Sequence, residues 1–467
     1  PDPPVPNRFL PPPGASTTAA FYLRTQSTQE VEARVTVLYR NRVLQTWTLA
    51  GGAETDIAFL PEVIINASLA GLDRQTSPAA ALVLNHTRRG EPQILKIVDD
   101  DAELISTGNL QPNVDNIEDE LKRCDWGSKD FRALNAPGTL KLLRFLAVHG
   151  SLLYRGIVKR QFVDARLASA PSIQLIAARP GVRLPVEYFY DRPSPDGDAT
   201  LCPAAEKSLS AGKCGAACAA RNQSSRYICP LGFWGVSRVL EWHNYRSQHA
   251  RELKSHDYAL QQEKLARRKQ LPPFDRVVVG ASDRAKAEVT TSMSTLLKAL
   301  GKAGLKAVEA KNWKTWKSSI AAERPPVLLM IPHTDIDEEL NVAKLEIGKD
   351  QWLRVDQIQE EYIRANQTQP IVLLLGCETG KQAVAFEDFV SILTECGAAV
   401  VVTTSTLVLG RQATILAAEF AAVMNKLYGQ KGATFGQVML TVRRNMLRKG
   451  YPMVLSVSAY GDADWRL

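Results

Sequence analysis

Apolar and polar positions fall into three successive rhythms along the chain. From about residue 18 to 113 the dominant period is two. Val31, Ala33, Val35, Val37 and Tyr39 alternate with mostly charged or polar residues, the pattern of a half-buried strand. Asn41 stands at a turn before Val43, Gln45 and Trp47, which predicts a hairpin. Ala81 to Leu84 and Ile94 to Val98 read as further strands. Together they predict an N-terminal all-β sandwich over 18–113, acting as an interaction domain, a size usual for that architecture. The proline-rich segment before it, 1–17, reads as an extended linker.

The second rhythm, over 114–270, is mixed. Leu142, Leu143, Leu146 and Leu153 recur at helical spacing and predict a helix over 140–154. Ile173 to Ala177 is a short apolar strand, followed by an extended stretch and a cysteine-bearing loop. A helix is predicted from Gly235 to about Lys269, stopped by Pro272 and Pro273.

Over 271–467 continuous apolar runs alternate with helical patterns. The strands are predicted at Val277 to Gly280, Leu305 to Glu309, Val327 to Ile331, Ile371 to Leu375, Ala398 to Thr404 and Val454 to Ala459. Helices are predicted between and after them, at Thr291 to Lys302, Asn312 to Glu323, Phe386 to Cys396, Gln412 to Leu427 and Phe435 to Lys449. Strands apolar throughout, separated by helices, indicate a parallel sheet covered on both faces.

Composition supports a globular chain: 45% of the 467 residues are hydrophobic and 23% charged. The net charge of +8 is a mild excess. The densest basic run, Lys264 to Lys269, has no interleaved aromatics, so nucleic acid is not an expected partner. No apolar run reaches the roughly 18 residues that span a bilayer. The chain opens at Pro1 without a charged-then-apolar leader, and a reducing cytoplasm is the expectation. Its seven cysteines are then core filler, metal ligands or nucleophiles rather than disulfides.

Two predicted strands end in reactive residues. Val327 to Ile331 runs through Pro332 into His333, and Ile371 to Leu375 runs through Gly376 into Cys377. Reacting groups in such sheets gather beyond the carboxyl ends of the strands. If the two strands are parallel neighbours, His333 and Cys377 emerge side by side. An imidazole next to a thiol can take its proton and create the attacking thiolate. Gly376 leaves room for a substrate backbone, and the Cys377 N–H is a natural oxyanion donor. Against this stands the plain alternative of a core cysteine and a hydrogen-bonding histidine.

Cys202, Cys214, Cys218 and Cys229 are confined to one stretch, flanked by Pro203, Pro230, Gly212 and Gly215. Four soft ligands on short loops suit a structural zinc ion. Buried free thiols and a disulfide pair remain alternatives, and His243 could replace one ligand.

The segments Cys377-Glu378-Thr379-Gly380 and Gly397-Ala398-Ala399-Val400-Val401-Val402-Thr403 resemble the CHAT branch of caspase-like cysteine peptidases, in the clan of separases and metacaspases. The following helices, with Arg443 and Arg444, are similar in order. Upstream, Ala147-Val148-His149-Gly150 and Leu184-Pro185-Val186-Glu187 resemble the start of the same module. The resemblance implies an α/β caspase-like sheet with flanking helices, in two parts. A non-catalytic first half, with the cysteine-rich loop, spans 114–270, and a catalytic half spans 271–467. It implies a Cys377/His333 dyad needing no cofactor for catalysis. It further implies a regulated endopeptidase of bacterial defence or programmed cell death. Its partners would be a protein substrate and a regulatory protein or upstream sensor domain, with no membrane. The chain departs from the pattern at Thr334, where the family usually has glycine contributing to the oxyanion hole. Asp335 or Asp337 would orient the imidazole or belong to a solvated loop. Asp462 and Asp464 would line a specificity pocket or lie on the surface. An inactive scaffold that binds a protein partner is the rival reading.

Overall fold

A computed structural model describes residues 31–51, 58–65, 72, 75–84, 93–99, 101–107, 110–124, 128–162, 164–178, 184–215, 218, 224–244, 270–284, 293–366, 368–375, 377–378, 386–404 and 410–467. The strands β1 (Val31–Tyr39), β2 (Arg42–Gly51) and β3 (Ala58–Ile64) come first, then β4 (Ala80–Leu84), β5 (Gln93–Val98) and β6 (Asp101–Ser106). Helices α1 (Gln111–Arg123), α2 (Pro137–Tyr154) and α3 (Ala165–Ser169) lead to β7 (Ser172–Ala177). Next are β8 (Thr200–Leu201), α4 (Ala205–Ala211), β9 (Tyr227–Ile228), α5 (Trp234–Ser237) and β10 (Val239–His243). The last part runs β11 (Arg276–Ala281), α6 (Met293–Lys302), β12 (Lys306–Ala310), α7 (Trp313–Glu323), β13 (Val327–Ile331), β14 (His333–Asp337), β15 (Val342–Glu346), β16 (Trp352–Arg354), β17 (Ile371–Leu374), β18 (Cys377–Glu378), α8 (Phe386–Glu395), β19 (Val400–Thr404), α9 (Gly410–Leu427), α10 (Phe435–Arg448) and β20 (Val457–Tyr460).

An 11-stranded mixed sheet organises these elements, in the order β12-β11-β13-β17-β19-β20-β10-β7-β4-β5-β6. β12, β11, β13, β17 and β19 are mutually parallel. β20 turns against β19 and runs parallel to β10, β7 and β4. Nine of the strands thus form two parallel blocks of opposite direction meeting at the β19/β20 seam, and β5 and β6 extend the second block as an antiparallel meander.

Strand alternation explains how helices cover both faces. Val277, Val279, Leu329 and Leu373 pack in one cluster with Leu296 of α6 and Phe420 of α9. The alternate residues Val278, Leu328, Met330 and Val372 pack in another, with Trp316 of α7 and Phe389 of α8. Local chemistry fixes the helix ends. Asn312 Oδ1 accepts from Thr315 N at 2.8 Å and Thr315 Oγ1 accepts from Asn312 N at 3.1 Å, a capping box opening α7. Pro325 and Pro326 follow its end.

Several expectations are altered. β4, β5 and β6 belong to the central sheet rather than to an N-terminal sandwich; of the first six strands, β1, β2 and β3 alone form a separate sheet. That sheet docks on the central one. Asn41 Nδ2 donates to the Ala79 carbonyl at 3.0 Å, and Val43 N donates to Gln174 Oε1 at 2.8 Å. The helix expected from Gly235 is only the short α5; Val239–His243 is instead a strand between β20 and β7. The rest of that predicted helix, 245–269, lies outside the described residues. The sheet is not wholly parallel, because β20 reverses against β19 and β5 and β6 pair antiparallel.

Gly150 in α2 marks a close approach between backbones. A Cβ there would collide with the Tyr188 carbonyl oxygen, while the Gly150 carbonyl accepts from Tyr190 N at 3.2 Å. Gly150→Ala is expected to destabilise the chain by about 1–3 kcal/mol through overpacking. Chemical denaturation checks it; an unchanged midpoint would show that the 186–188 turn yields freely.

Candidate functional site

The carboxyl ends of β11, β13 and β17 share one edge of the sheet. A second, four-stranded sheet, β16-β15-β14-β18, begins there. In it β14 and β18 run parallel, and their register sets His333 opposite Cys377 and Thr334 opposite Glu378. The apolar strands β13 and β17 are already neighbours, so their continuations leave the main sheet side by side. This brings the two sequence-predicted residues to adjacent backbone positions.

Around His333 the wall is aromatic and charged. Its ring, in a residue only 8% exposed, meets Trp352 edge-on at 5.8 Å. Arg284 and Lys344 lie against the same indole, at 5.5 and 4.9 Å from its centroid. Across the antiparallel ladder from His333 is Glu346, fully buried. Its carboxylate accepts from Ser282 Oγ and, at 2.8 Å, from Asp350 N, with Arg284 Nε 3.6 Å away. A buried carboxylate is tolerated when donors saturate it this way.

Thr334 is buried between Leu345 and Glu378 in the ladder. Asp335 is half-buried and accepts from Ile336 N at 2.9 Å. Gly376 lies outside the described residues.

Asp462 and Asp464 are not brought to this edge. Thr404 pairs with Val457 and Val401 with Tyr460, so β20 runs away from the His333 edge and delivers both aspartates to the opposite one. Asp462 Oδ1 accepts from Arg42 at 3.4 Å, and Asp464 Oδ2 accepts from Thr76 N at 3.2 Å. A role for either as a pocket carboxylate beside Cys377 is therefore corrected. Asp464→Asn is expected to leave any peptide hydrolysis within about two-fold, the size of an ordinary surface substitution. A loss of activity with retained stability would restore the pocket reading.

Three of the four clustered cysteines, Cys214, Cys218 and Cys229, bring their sulfurs within 4.8 Å of one another. Cys214 Sγ is 3.4 Å from Cys229 Sγ, and Cys218 Sγ is 4.0 Å from it. The Cys202 thiol interacts with those of Cys218 and Cys214. A hydrogen bond from Cys229 brings the Cys214 thiol down to about 6, while Cys229 itself is pushed up. His243 is not among them. It lies on β10, its Nε2 2.9 Å from Glu241 Oε1 and 3.8 Å from Asp462. Glu241, His243 and Asp462 form a metal-like cluster, but the Arg42 guanidinium, 2.6 Å from Glu241, already supplies its positive charge.

Sequence reasoning missed Glu346, Ser282, Trp352 and Arg284. The available signal was the alternation Val342, Lys344, Glu346 against Ala343, Leu345, followed by Trp352.

No family model and no curated protein sequence matches the chain. Solved structures similar at low level include two cysteine proteinase structures. The Arg-specific cysteine proteinase gingipain R shares 9% identity at a TM-score of 0.36, with 76% of each chain covered. A complex of the pro- and mature domains of RgpB from Porphyromonas gingivalis shares 9% at a TM-score of 0.37, covering 76% of this chain and 78% of that one. Likenesses this distant carry no argument about this chain. Among the described residues no helix is long and apolar enough to cross a membrane.

Proposed function

We propose that the chain is a caspase-like cysteine endopeptidase of the CHAT type, with Cys377 as nucleophile and His333 as general base. The observation that carries this reading is the parallel register of His333 with Cys377 at the carboxyl edge of parallel strands. Neighbouring strands lie about 4.8 Å apart, a spacing across which a thiol and an imidazole can exchange a proton. The Cys377 thiolate attacks the scissile carbonyl carbon, and the tetrahedral intermediate collapses to a thioester as His333 protonates the leaving amine. Water, deprotonated by His333, then cleaves the thioester and restores the thiol. Backbone N–H groups of Cys377 and Thr334 would hold the oxyanion. No step calls for a metal or cofactor.

The substrate would be a protein. The resemblance supports a regulated effector in bacterial defence or programmed cell death, switched by a regulatory protein or a sensor domain. A second reading, an inactive scaffold binding a protein partner, is favoured by one feature: Thr334 replaces the usual glycine and is buried between two strands.

A broad peptide library digested by the chain and by its Cys377→Ala and His333→Ala variants, read by mass spectrometry, tests the proposal. Cleavage lost in both variants supports the peptidase. Cleavage retained in Cys377→Ala would end it.

A further inference from the structure

We propose that Cys202, Cys214, Cys218 and Cys229 together bind one structural zinc ion, which fastens the 202–229 segment against helix α10. The inference is independent of the peptidase reading.

The backbone prepares the site. β8 and β9 are parallel, with Leu201 opposite Ile228. Cys202 and Cys229 are the residues that follow these two strands, so the ladder brings them to neighbouring backbone positions. The ladder continues through Cys202 N, which donates to the Ile228 carbonyl at 2.9 Å. A proline follows each cysteine and the chain folds back at once. Ala205 N donates to the Cys202 carbonyl and Gly232 N to the Cys229 carbonyl, both at 2.8 Å. Cys229 N is itself held by Tyr190 Oη at 2.9 Å. Cys214 and Cys218 then arrive from the loop after α4.

The spacing fits a tetrahedral ion. Zinc–sulfur bonds of about 2.3 Å place ligand sulfurs roughly 3.8 Å apart. The Cys214–Cys229 and Cys218–Cys229 separations, 3.4 and 4.0 Å, bracket that value and lie far outside a disulfide's roughly 2.05 Å; these three sulfurs already lie within 4.8 Å of one another, and Cys202 would close on the ion as the fourth ligand. Cys202, Cys218 and Cys229 are at most 3% exposed, as a closed structural site requires. Four thiolates around a divalent ion leave two negative charges. The Arg192 guanidinium, paired with Asp191 at 2.7 Å, lies near Cys214 and Cys229 and would offset part of them.

The same loop explains what the ion would hold. α4, between Cys202 and Cys214, packs on α10. At its end Gly212 has φ +69°, and a Cβ there would strike the Arg444 guanidinium. Arg444 Nε donates to the Val236 carbonyl at 2.9 Å. The neighbouring Arg443, buried, donates to the Gly235 carbonyl at 3.1 Å and the Val457 carbonyl at 2.6 Å. Val457 begins β20, so α10, on which α4 of this segment packs, is tied to the β19/β20 seam.

Metal analysis of the full chain, purified without chelator, tests this. One zinc per chain is expected, released as a mercurial titrates four thiols. Exchange with Co²⁺ should give sulfur-to-cobalt charge-transfer bands and tetrahedral ligand-field bands. Cys229→Ser should abolish stoichiometric zinc, whereas Cys124→Ser and Cys396→Ser should retain it. If Cys229→Ser fails to fold, the cobalt spectrum of the unaltered chain decides. No zinc after reconstitution, a reduced-minus-two-hydrogen mass marking a disulfide, or a cobalt spectrum without sulfur bands would each overturn the proposal.

Discussion

His333→Ala is expected to lower kcat/KM for the best-cleaved peptide by about 10²–10⁴-fold, the range that a positioned general acid–base supplies. Cys377→Ala is expected to bring hydrolysis to background, because the proposed thioester forms on its sulfur. The physical ground is the backbone. Val327 pairs with Ile371 and Met330 with Leu374, and after each strand the chains stay paired, setting His333 against Cys377. A base and nucleophile that act as one unit lose activity non-additively, so the double variant should be no worse than Cys377→Ala. Steady-state kinetics on the four chains, with matched circular dichroism, checks it. Additive losses would indicate that the two residues act separately.

Arg42→Ala is expected to destabilise the chain by about 3–5 kcal/mol, the loss on stranding one member of a buried ion pair. Arg42 comes from the separate three-stranded sheet and is only 2% exposed. Its Nη1 lies 2.6 Å from Glu241 of β10, and its Nη2 donates to the Thr76 carbonyl at 2.9 Å. Glu241 also accepts from Ala463 N at 2.9 Å. Burial alone would raise the Glu241 carboxyl; Arg42 and His243 more than offset that and hold it below the usual carboxylate range. With the folded value lower than the unfolded value of about 4.3, the unfolded chain binds the extra proton first. The contribution is therefore full above about pH 4.3 and is lost as pH falls toward the folded value. Without Arg42 the carboxyl rises, and the acid limb of stability should move to higher pH. Arg42→Met combined with Glu241→Gln should lose less than the two single changes summed. Urea unfolding at several pH values measures all of this. An Arg42→Ala chain as stable as the parent would mean the sheet docks by apolar contact alone.

The catalytic-edge candidates were legible because their signal is local. Val327–Ile331 and Ile371–Leu374 are apolar at every position, and each is followed within three residues by a reactive side chain. Helices with strong stop signals, such as α7 before Pro325, were legible for the same reason. What escaped depends on distant partners. The apolar run at Ala80–Leu84 and the mixed pattern of Gln93–Val98 announce strands but not that Ala80 of β4 pairs with the distant Ile173 of β7. Val239–His243 carries a glutamate and a histidine that mask a central strand; Glu241 is tolerated there because Arg42 arrives from β2 and Gln174 and Ala463 N donate to it. The direction of β20, which carries Asp462 and Asp464 away from Cys377, follows from pairing with β19 and has no signature in its four residues. Glu346 looks like any charged strand residue until the ladder sets it opposite His333.

The most direct test of the dyad is covalent capture. The full chain would be treated with a set of peptidyl acyloxymethyl ketones that varies the residue before the electrophile, then mapped by mass spectrometry. The account predicts thioether labelling at Cys377, absent or strongly slowed in His333→Ala. A folded chain labelled only at other cysteines, or labelled at Cys377 equally fast without His333, would contradict it.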